Sequence, residues 1–446
     1  MDPLILGLIG FACALILLAL RVPIAFSLAG VSSVFILLFF AMRHGGFDLA
    51  SAVAPTLTMI SSNTFDLVHS YDLSMIPLFV LLGHIAYHTG ITTDIYHAAR
   101  VWLKRLPGGV AMASVFGCGG FSAITGSSIA CASAMGKICV PEMLRIGYDK
   151  RLATSTVAVG GTLGSLIPPS VLFIVYGIFT EMSVSRLFIA GVIPGLLSLA
   201  GFLVVIYIWV KRNPAAAPVE DSILVKGDRR KAAIRCWPAL LLFTIIIGGI
   251  YGGFFTATEA AAISAFAVIM IGTVQKRLNW QQFVQSIKET CTQTTAIFFI
   301  AAGAKIFVGF VALTDMAPAL VDLVESADVS FWLLMVMIAG VYFLLGMFLD
   351  PLGIMVLTLP FLIPMVEGYG LDLIWFGVVV IKLLEISLIT PPVGLNVFVI
   401  ASVVKPSVAV YDIFMGVARF LVMDVLVLIA IIAFPVLSLL LPNLMR

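Results

Sequence analysis

Two pairs of consecutive prolines interrupt apolar stretches of this chain, Pro168-Pro169 in "GTLGSLIPPSV" (161–171) and Pro391-Pro392 in "EISLITPPVGLN" (385–396). Proline has no N–H to give the carbonyl four residues back. In a helix, Pro168 and Pro169 therefore free the carbonyls of Gly164 and Ser165, and Pro391 and Pro392 those of Ser387 and Leu388. In an apolar environment such an oxygen costs several kcal/mol unless protein, water or a bound ion satisfies it. A hard cation such as sodium, held in a cavity lined by these oxygens, is one solution. Many membrane prolines only kink their helix, but two Pro-Pro pairs at matching places favour the ion reading over a simple kink.

The surroundings are those of a bilayer. Of 446 residues, 61% are hydrophobic and 11% charged, and the mean hydropathy is +1.16. Apolar runs long enough to span about 30 Å occur at 3–20, 23–42, 74–90, 155–177, 187–210, 237–254, 260–274, 293–312, 331–366, 374–400 and 417–441. Their unbroken character predicts helices and excludes a transmembrane β-barrel. The run after "MDPL" has no basic lead or cleavage signature, so it reads as a retained span. A net charge of +2 with no basic, aromatic-interleaved patch excludes nucleic acid as a partner. The six cysteines lack metal-ligand spacing and read as buried thiols.

Residues 211–235 form the one linker-like segment, with seven Lys or Arg against three Asp or Glu. The positive-inside rule assigns it to the cytoplasm. "TATE" (256–259) then faces the other side, and "QKRLNW" (275–280) returns to the cytoplasm.

A shift of about 223 residues lays the first half over the second: Pro168-Pro169 on Pro391-Pro392, 187–197 near 413–423, Gly83 near Gly303, and "TGSS" (125–128) near "FLDP" (348–351). We read an all-α polytopic membrane protein of two inverted repeats, 1–210 and 237–446, joined by a cytoplasmic linker at 211–236. Duplicated broken segments are the pattern of secondary transporters. Small residues crowd 121–143, as a re-entrant hairpin tip requires, and 346–360 holds the matching place with Asp350. An intramembrane carboxylate is a functional candidate by default, yet Asp350 before Pro351 equally reads as a helix cap.

The ordered segments 76–91, 124–149, 161–177, 187–197, 256–262, 346–354 and 390–396 together resemble the large membrane subunit of tripartite ATP-independent periplasmic (TRAP) transporters. The resemblance implies a sodium-driven importer of organic-acid anions in the bacterial inner membrane. It implies two partners, a small four-helix membrane subunit and a periplasmic substrate-binding protein, and an elevator motion of hairpins and broken helices against a scaffold. By motif position the sodium sites fall on Thr125, Gly164, Ile167 and Pro169, and at the duplicated positions on Gly346, Ser387, Thr390 and Val393. Ser127, Ser128, Asp350 and Asn396 lie beside them as substrate-binding candidates, and Lys305 is the candidate partner for the anion. Members usually carry serine where Thr125 stands, which preserves the hydroxyl.

Three other readings compete. A stand-alone sodium/carboxylate symporter shares the Pro-Pro logic. An intramembrane zinc enzyme would use His84 and His88, four apart, but the intervening "IAY" lacks the glutamate of a metalloprotease motif, and an interface or pore-lining pair is the plainer reading. A channel needs no duplicated broken helices. Lys382 and Glu385, three apart, read as a structural pair on one helix face.

Overall fold

The computed structural model describes residues 2–43, 47–103, 105–218, 228–404 and 408–445. The expected linker at 211–236 thus lies partly outside the described residues, over 219–227. The first half contains α1 (Pro3–Ala19), α2 (Ile24–Met42), α3 (Leu49–Val68), α4 (Met75–His88), α5 (Ile91–Leu103), α6 (Gly109–Thr125), α7 (Ser128–Arg145), α8 (Lys150–Leu166), α9 (Val171–Thr180) and α10 (Val184–Arg212). Next come α11 (Asp228–Arg235), α12 (Trp237–Phe243), a π-helical turn at Thr244–Gly248, α13 (Gly249–Tyr251) and α14 (Ala257–Val274). The second half continues with α15 (Trp280–Leu313), α16 (Met316–Ser326), α17 (Phe331–Gly346), α18 (Pro351–Gly368), α19 (Leu373–Ser387), α20 (Leu395–Val404), α21 (Val410–Ala433) and α22 (Val436–Leu444). Among the described residues seven segments are long and apolar enough to cross a bilayer, or up to nine if each of two bent pairs is one span.

The inversion of the repeats can be followed through contacts. Asp149, which caps α8, donates its backbone N–H to Ala216 O at 2.9 Å, next to the end of α10. Arg151 pairs with Asp412 at 2.9 Å, at the start of α21. The starts of α8 and α21 and the end of α10 therefore share the linker's side. At the opposite side, Tyr176 Oη near the end of α9 donates to Leu373 O at 2.7 Å, at the start of α19. The pair α8/α9 runs away from the linker's side while α19/α20 runs toward it. Both pairs are interrupted at the Pro-Pro sequences, whose peptide bonds are cis.

The second hairpin, expected around 346–360 inside the apolar run 331–366, is formed by α17 and α18 and turns at Met347–Asp350. A helix at Leu49–Val68, too polar to count as an apolar run, meets the next segment at a bend of 53°. The cysteines are also less uniform than expected. Cys118, Cys131 and Cys139 are buried, Cys13 and Cys236 are half-buried, and Cys291 is exposed.

Two apolar cores organise the helices. One gathers side chains of α1, α2, α4, α14, α15, α18 and α19, with Phe307, Phe310 and Trp375 fully buried. The other belongs to α6, α7, α8, α20 and α21, with Phe202 of α10 and Phe420 among its rings. Lys382 is completely buried and does pair with Glu385, at 3.2 Å, but also with Asp424 of α21 at 2.5 Å and Ser198 of α10 at 3.0 Å. This cluster ties α19 to its two long neighbours through charge-assisted bonds.

Candidate functional site

The first hairpin turns where α6 stops at Thr125. Gly126 takes φ +63°, a left-handed conformation open to glycine without strain. Ser127 then caps α7 by accepting the N–H of Ala130 at 3.4 Å. On the facing segment α8 ends at Leu166, since neither Pro168 nor Pro169 brings an N–H to the preceding turn, and Ser170 restarts the chain as the cap of α9.

Tip and break are seated on each other. Val171 N–H donates to Gly126 O at 3.1 Å, and a Cβ on Gly126 would collide with the carbonyl of Pro169. A Cβ on Gly164 would lie 2.8 Å from the Ser127 carbonyl and 2.9 Å from Ser128 N, so α8 touches the tip through backbone. Ser128 does not bond back to its own helix. Its hydroxyl donates to Thr162 O at 3.2 Å and accepts from Ser165 Oγ at 2.5 Å, both on α8. Thr125 donates to Phe121 O at 3.2 Å and packs on Gly83 of α4. Thr125, Gly164, Pro169, Ser127 and Ser128 are thus one neighbourhood. The Ile167 side chain points away, toward Gly195 of α10.

The second half repeats the arrangement with different side chains. Gly346, the last residue of α17, abuts Ser387, the last of α19, so closely that a Cβ would overlap it. Ser387 Oγ donates to Leu384 O and Thr390 Oγ1 to Ile386 O, each at 2.6 Å. The carbonyls expected to be free here are not: Ser387 O accepts from Thr390 N at 3.3 Å and Leu388 O from Asn396 N at 3.0 Å. The chain turns tightly through Val393 and Gly394, the latter at φ +51°, and folds the N–H of Asn396 back onto the oxygen that proline left. Asn396 Nδ2 also reaches Ala158 O of α8 at 3.2 Å, while its buried Oδ1 has no partner among the described residues. Asp350 is the cap of α18, accepting Gly353 N–H at 3.0 Å.

A cleft of about 160 Å³ opens between the first hairpin and the helices α4 and α15. Thr125 and Ser127 line it together with Ser133 and Lys137 of α7, His84 of α4, and Glu289 and Gln293 of α15. Lys305 is not among the lining residues; the cation at this cleft is Lys137. The two histidines are neither alone nor grouped with enough ligands to hold a metal among the described residues. His84 Nδ1 lies 3.1 Å and His88 Nε2 2.9 Å from Glu289 Oε2. Sequence reasoning passed over Lys137, although a lysine inside "CASAMGKICV" (131–140) is the kind of intramembrane charge that asks for a reason. Glu289 and Gln293 gave no signal, because their partners lie about 200 residues earlier.

Comparison with known proteins agrees with this geometry. The family model described as the tripartite ATP-independent periplasmic transporter, DctM component, matches residues 11–437. The C4-dicarboxylate TRAP transporter large permease DctM of Pseudomonas aeruginosa is 34% identical over 340 residues, covering 76% of this chain and 79% of that protein. The sialic acid TRAP transporter large permease SiaM of Vibrio cholerae is 31% identical over 419 residues, covering 91% and 96%. The isethionate TRAP transporter permease DctMQ of Oleidesulfovibrio alaskensis is 30% identical over 361 residues, covering 81% and 56%. Among solved structures, the Alcanivorax borkumensis YdaH transporter superposes with a TM-score of 0.62 at 14% identity, over 95% of this chain and 98% of that one. MtrF of Neisseria gonorrhoeae superposes with a TM-score of 0.63 at 13% identity, over 97% and 95%. These two likenesses are of fold.

Proposed function

The chain belongs to the DctM family of tripartite ATP-independent periplasmic transporters, whose members are large permease subunits and not enzymes, and from that premise we propose that it performs sodium-coupled uptake of a small organic-acid anion. The observation that carries the proposal is the pair of helix breaks, each seated on a hairpin tip through a glycine: Gly164 against the backbone of Ser127, and Gly346 against the side chain of Ser387.

Sodium is bound by oxygen, and each break supplies oxygen at close quarters. In the first half the Thr125 hydroxyl and the carbonyls of Gly164, Ile167 and Pro169 would hold one ion. In the second, Gly346, Ser387, Thr390 and Val393 would hold another through their carbonyls and hydroxyls. The unpartnered buried Oδ1 of Asn396 fits a polar ligand at that break, since an orphaned carboxamide oxygen costs free energy until something pairs with it. Bound sodium would supply positive charge near the tips. The protein's own part is to keep tip and break in register, so that an ion binds only when the two are together.

The substrate anion would lie in the cleft, with a carboxylate toward Lys137 and hydroxyls of Thr125, Ser127 and Ser133 on its polar groups. The cleft separates the first hairpin from α4 and α15, so a sliding of hairpins and broken helices against those scaffold helices, an elevator motion, would carry it across the bilayer. A small four-helix membrane subunit would brace the scaffold and a periplasmic binding protein would deliver the substrate. The protein is a multi-pass membrane protein, and the basic segment after α10 orients it in a bacterial inner membrane with that segment in the cytoplasm.

The test is uptake of radiolabelled C4-dicarboxylates, a sialic acid and isethionate into proteoliposomes that hold the chain with its small subunit, with and without a sodium gradient and a binding protein. Uptake that requires sodium and the binding protein is expected. Sodium-driven uptake of equal rate without the binding protein would move the chain to the stand-alone symporters.

A further inference from the structure

His84, Glu289 and Gln293 line the cleft, and His88, one turn further along α4, joins them through Glu289. Glu289 Oε2 stands between two imidazoles, 3.1 Å from His84 Nδ1 and 2.9 Å from His88 Nε2. Its other oxygen, Oε1, accepts from Gln285 Nε2 at 2.8 Å. The second nitrogen of His84, Nε2, lies 3.2 Å from Gln293 Oε1.

These contacts can be counted in donors. A carboxylate only accepts, so Nδ1 of His84 and Nε2 of His88 must each bear a proton to bond it. An amide oxygen also only accepts, so Nε2 of His84 must bear a proton as well. Both nitrogens of His84 then donate, which is the imidazolium. Turning the Gln293 amide end for end presents its NH₂ to Nε2 instead, and the same contacts then suit neutral His84. The cluster has two fully bonded arrangements that differ by one proton and one amide rotation. Its charge, counting Glu289 as ionised, changes from −1 to 0.

We infer that His84, His88, Glu289 and Gln293 form a proton-binding site at the edge of the cleft. The charged surroundings are few. Lys137 of α7 and Tyr87 of α4 line the same cleft. Asp94 of α5 is occupied by Arg277, and Gly272 of α14 packs on Thr89 beside His88. Among the described residues Glu289 is the carboxylate paired with both imidazoles. The side chains are 19–33% exposed, open enough for water to deliver a proton and closed enough for the carboxylate to hold it. The contacts stand independently of the sodium sites, so failure of sodium-driven uptake would leave this inference intact.

The test is nitrogen-15 NMR of the full chain, labelled at its five histidines and held in lipid nanodiscs, titrated from pH 8.5 to 5.5. His84→Asn and His88→Asn assign the two rings, and the exposed His69 and His97 serve as references. One proton is expected to enter the pair in this range, with a proton affinity that falls at least tenfold in Glu289→Gln while the references stay unchanged. Gln293→Glu, which places a second carboxylate on His84 Nε2, is expected to raise that affinity at least tenfold, and it provides a readout if Glu289→Gln does not fold. Two rings that remain neutral to pH 5.5, or a midpoint that neither variant moves, would overturn the inference.

Discussion

The contact between Gly164 and the hairpin tip invites a sharp perturbation, Gly164→Ala. Ordinary contacts of a Cβ begin near 3.4 Å, whereas here it would meet the Ser127 carbonyl at 2.8 Å and Ser128 N at 2.9 Å. The deficit is about 0.6 Å, and the obstacle is backbone, which cannot step aside as a flexible side chain can. Overpacking of this kind costs about 1–3 kcal/mol. If the tip retreats to relieve it, the same free energy is withdrawn from any ion that needs tip and break together. At about 1.4 kcal/mol per tenfold, sodium affinity should weaken roughly 5- to 150-fold. The assay is the unfolding temperature of the purified chain in lipid as sodium replaces choline at constant ionic strength, where binding to the folded state alone raises stability with concentration. Gly340→Ala on α17, where a Cβ would meet nothing within 4 Å, is the control and should leave the sodium dependence unchanged. A folded Gly164→Ala protein with the original half-saturation, or an equal loss in Gly340→Ala, would refute the reasoning.

Other consequences can be measured alongside. Lys382→Met strands two buried carboxylates that now share one ammonium and should cost about 3–5 kcal/mol, read as a lower unfolding temperature; adding Glu385→Gln and Asp424→Asn should restore most of it. Asp350→Asn keeps a side chain able to cap α18, so stability and uptake should both persist, whereas Asp350→Ala should lose about 1 kcal/mol; loss of uptake in the Asn variant would assign the carboxylate to the substrate instead. If the His84–Glu289 cluster takes up a proton, the cleft repels an anion less at low pH. Uptake of a fully ionised substrate should then rise several-fold from pH 8 to pH 6 on that side of the membrane, at constant sodium gradient, and lose that dependence in Glu289→Gln.

The sequence disclosed the fold where backbone chemistry is tied to residue type. Proline without an N–H ends α8, the segment around Thr125 is dense in small residues, and Asp350 before Pro351 marks the start of α18. Helix ends of this kind are local, so they were legible. The α17–α18 hairpin was legible through its match to the first, although its tip, Met347–Asp350, interrupts the apolar run by only a few residues. The free carbonyls of Ser387 and Leu388 were misjudged: proline removes one donor, but a tight turn brought another, Asn396 N–H, from eight residues on. Contacts between distant segments were invisible. Asp424, buried in the middle of α21, makes sense only beside Lys382, and Glu289 only beside two histidines about 200 residues away.

The two halves therefore differ in a telling way. What they share is backbone geometry: a helix stopped at a tip, a helix broken by Pro-Pro, and a glycine permitting the two to touch. What they do not share is side-chain chemistry. Thr125 in the first half corresponds to Gly346 in the second, the cap Ser127 to the charged cap Asp350, and the first tip opens on a cleft bearing Lys137 and Glu289. An ion held largely by carbonyls needs the shared part, whereas recognition of an anion needs the unshared part. Under the proposed function, disturbing either break should impair sodium dependence, but substitutions that alter substrate preference should concentrate on the first hairpin and on the α4 and α15 residues facing it. A scan of Lys137, Ser133 and Gln293 against Thr390 and Val393, scored by the ratio of uptake among competing anions, would separate the two roles; preference changes arising equally from both halves would show that the duplication had not divided them.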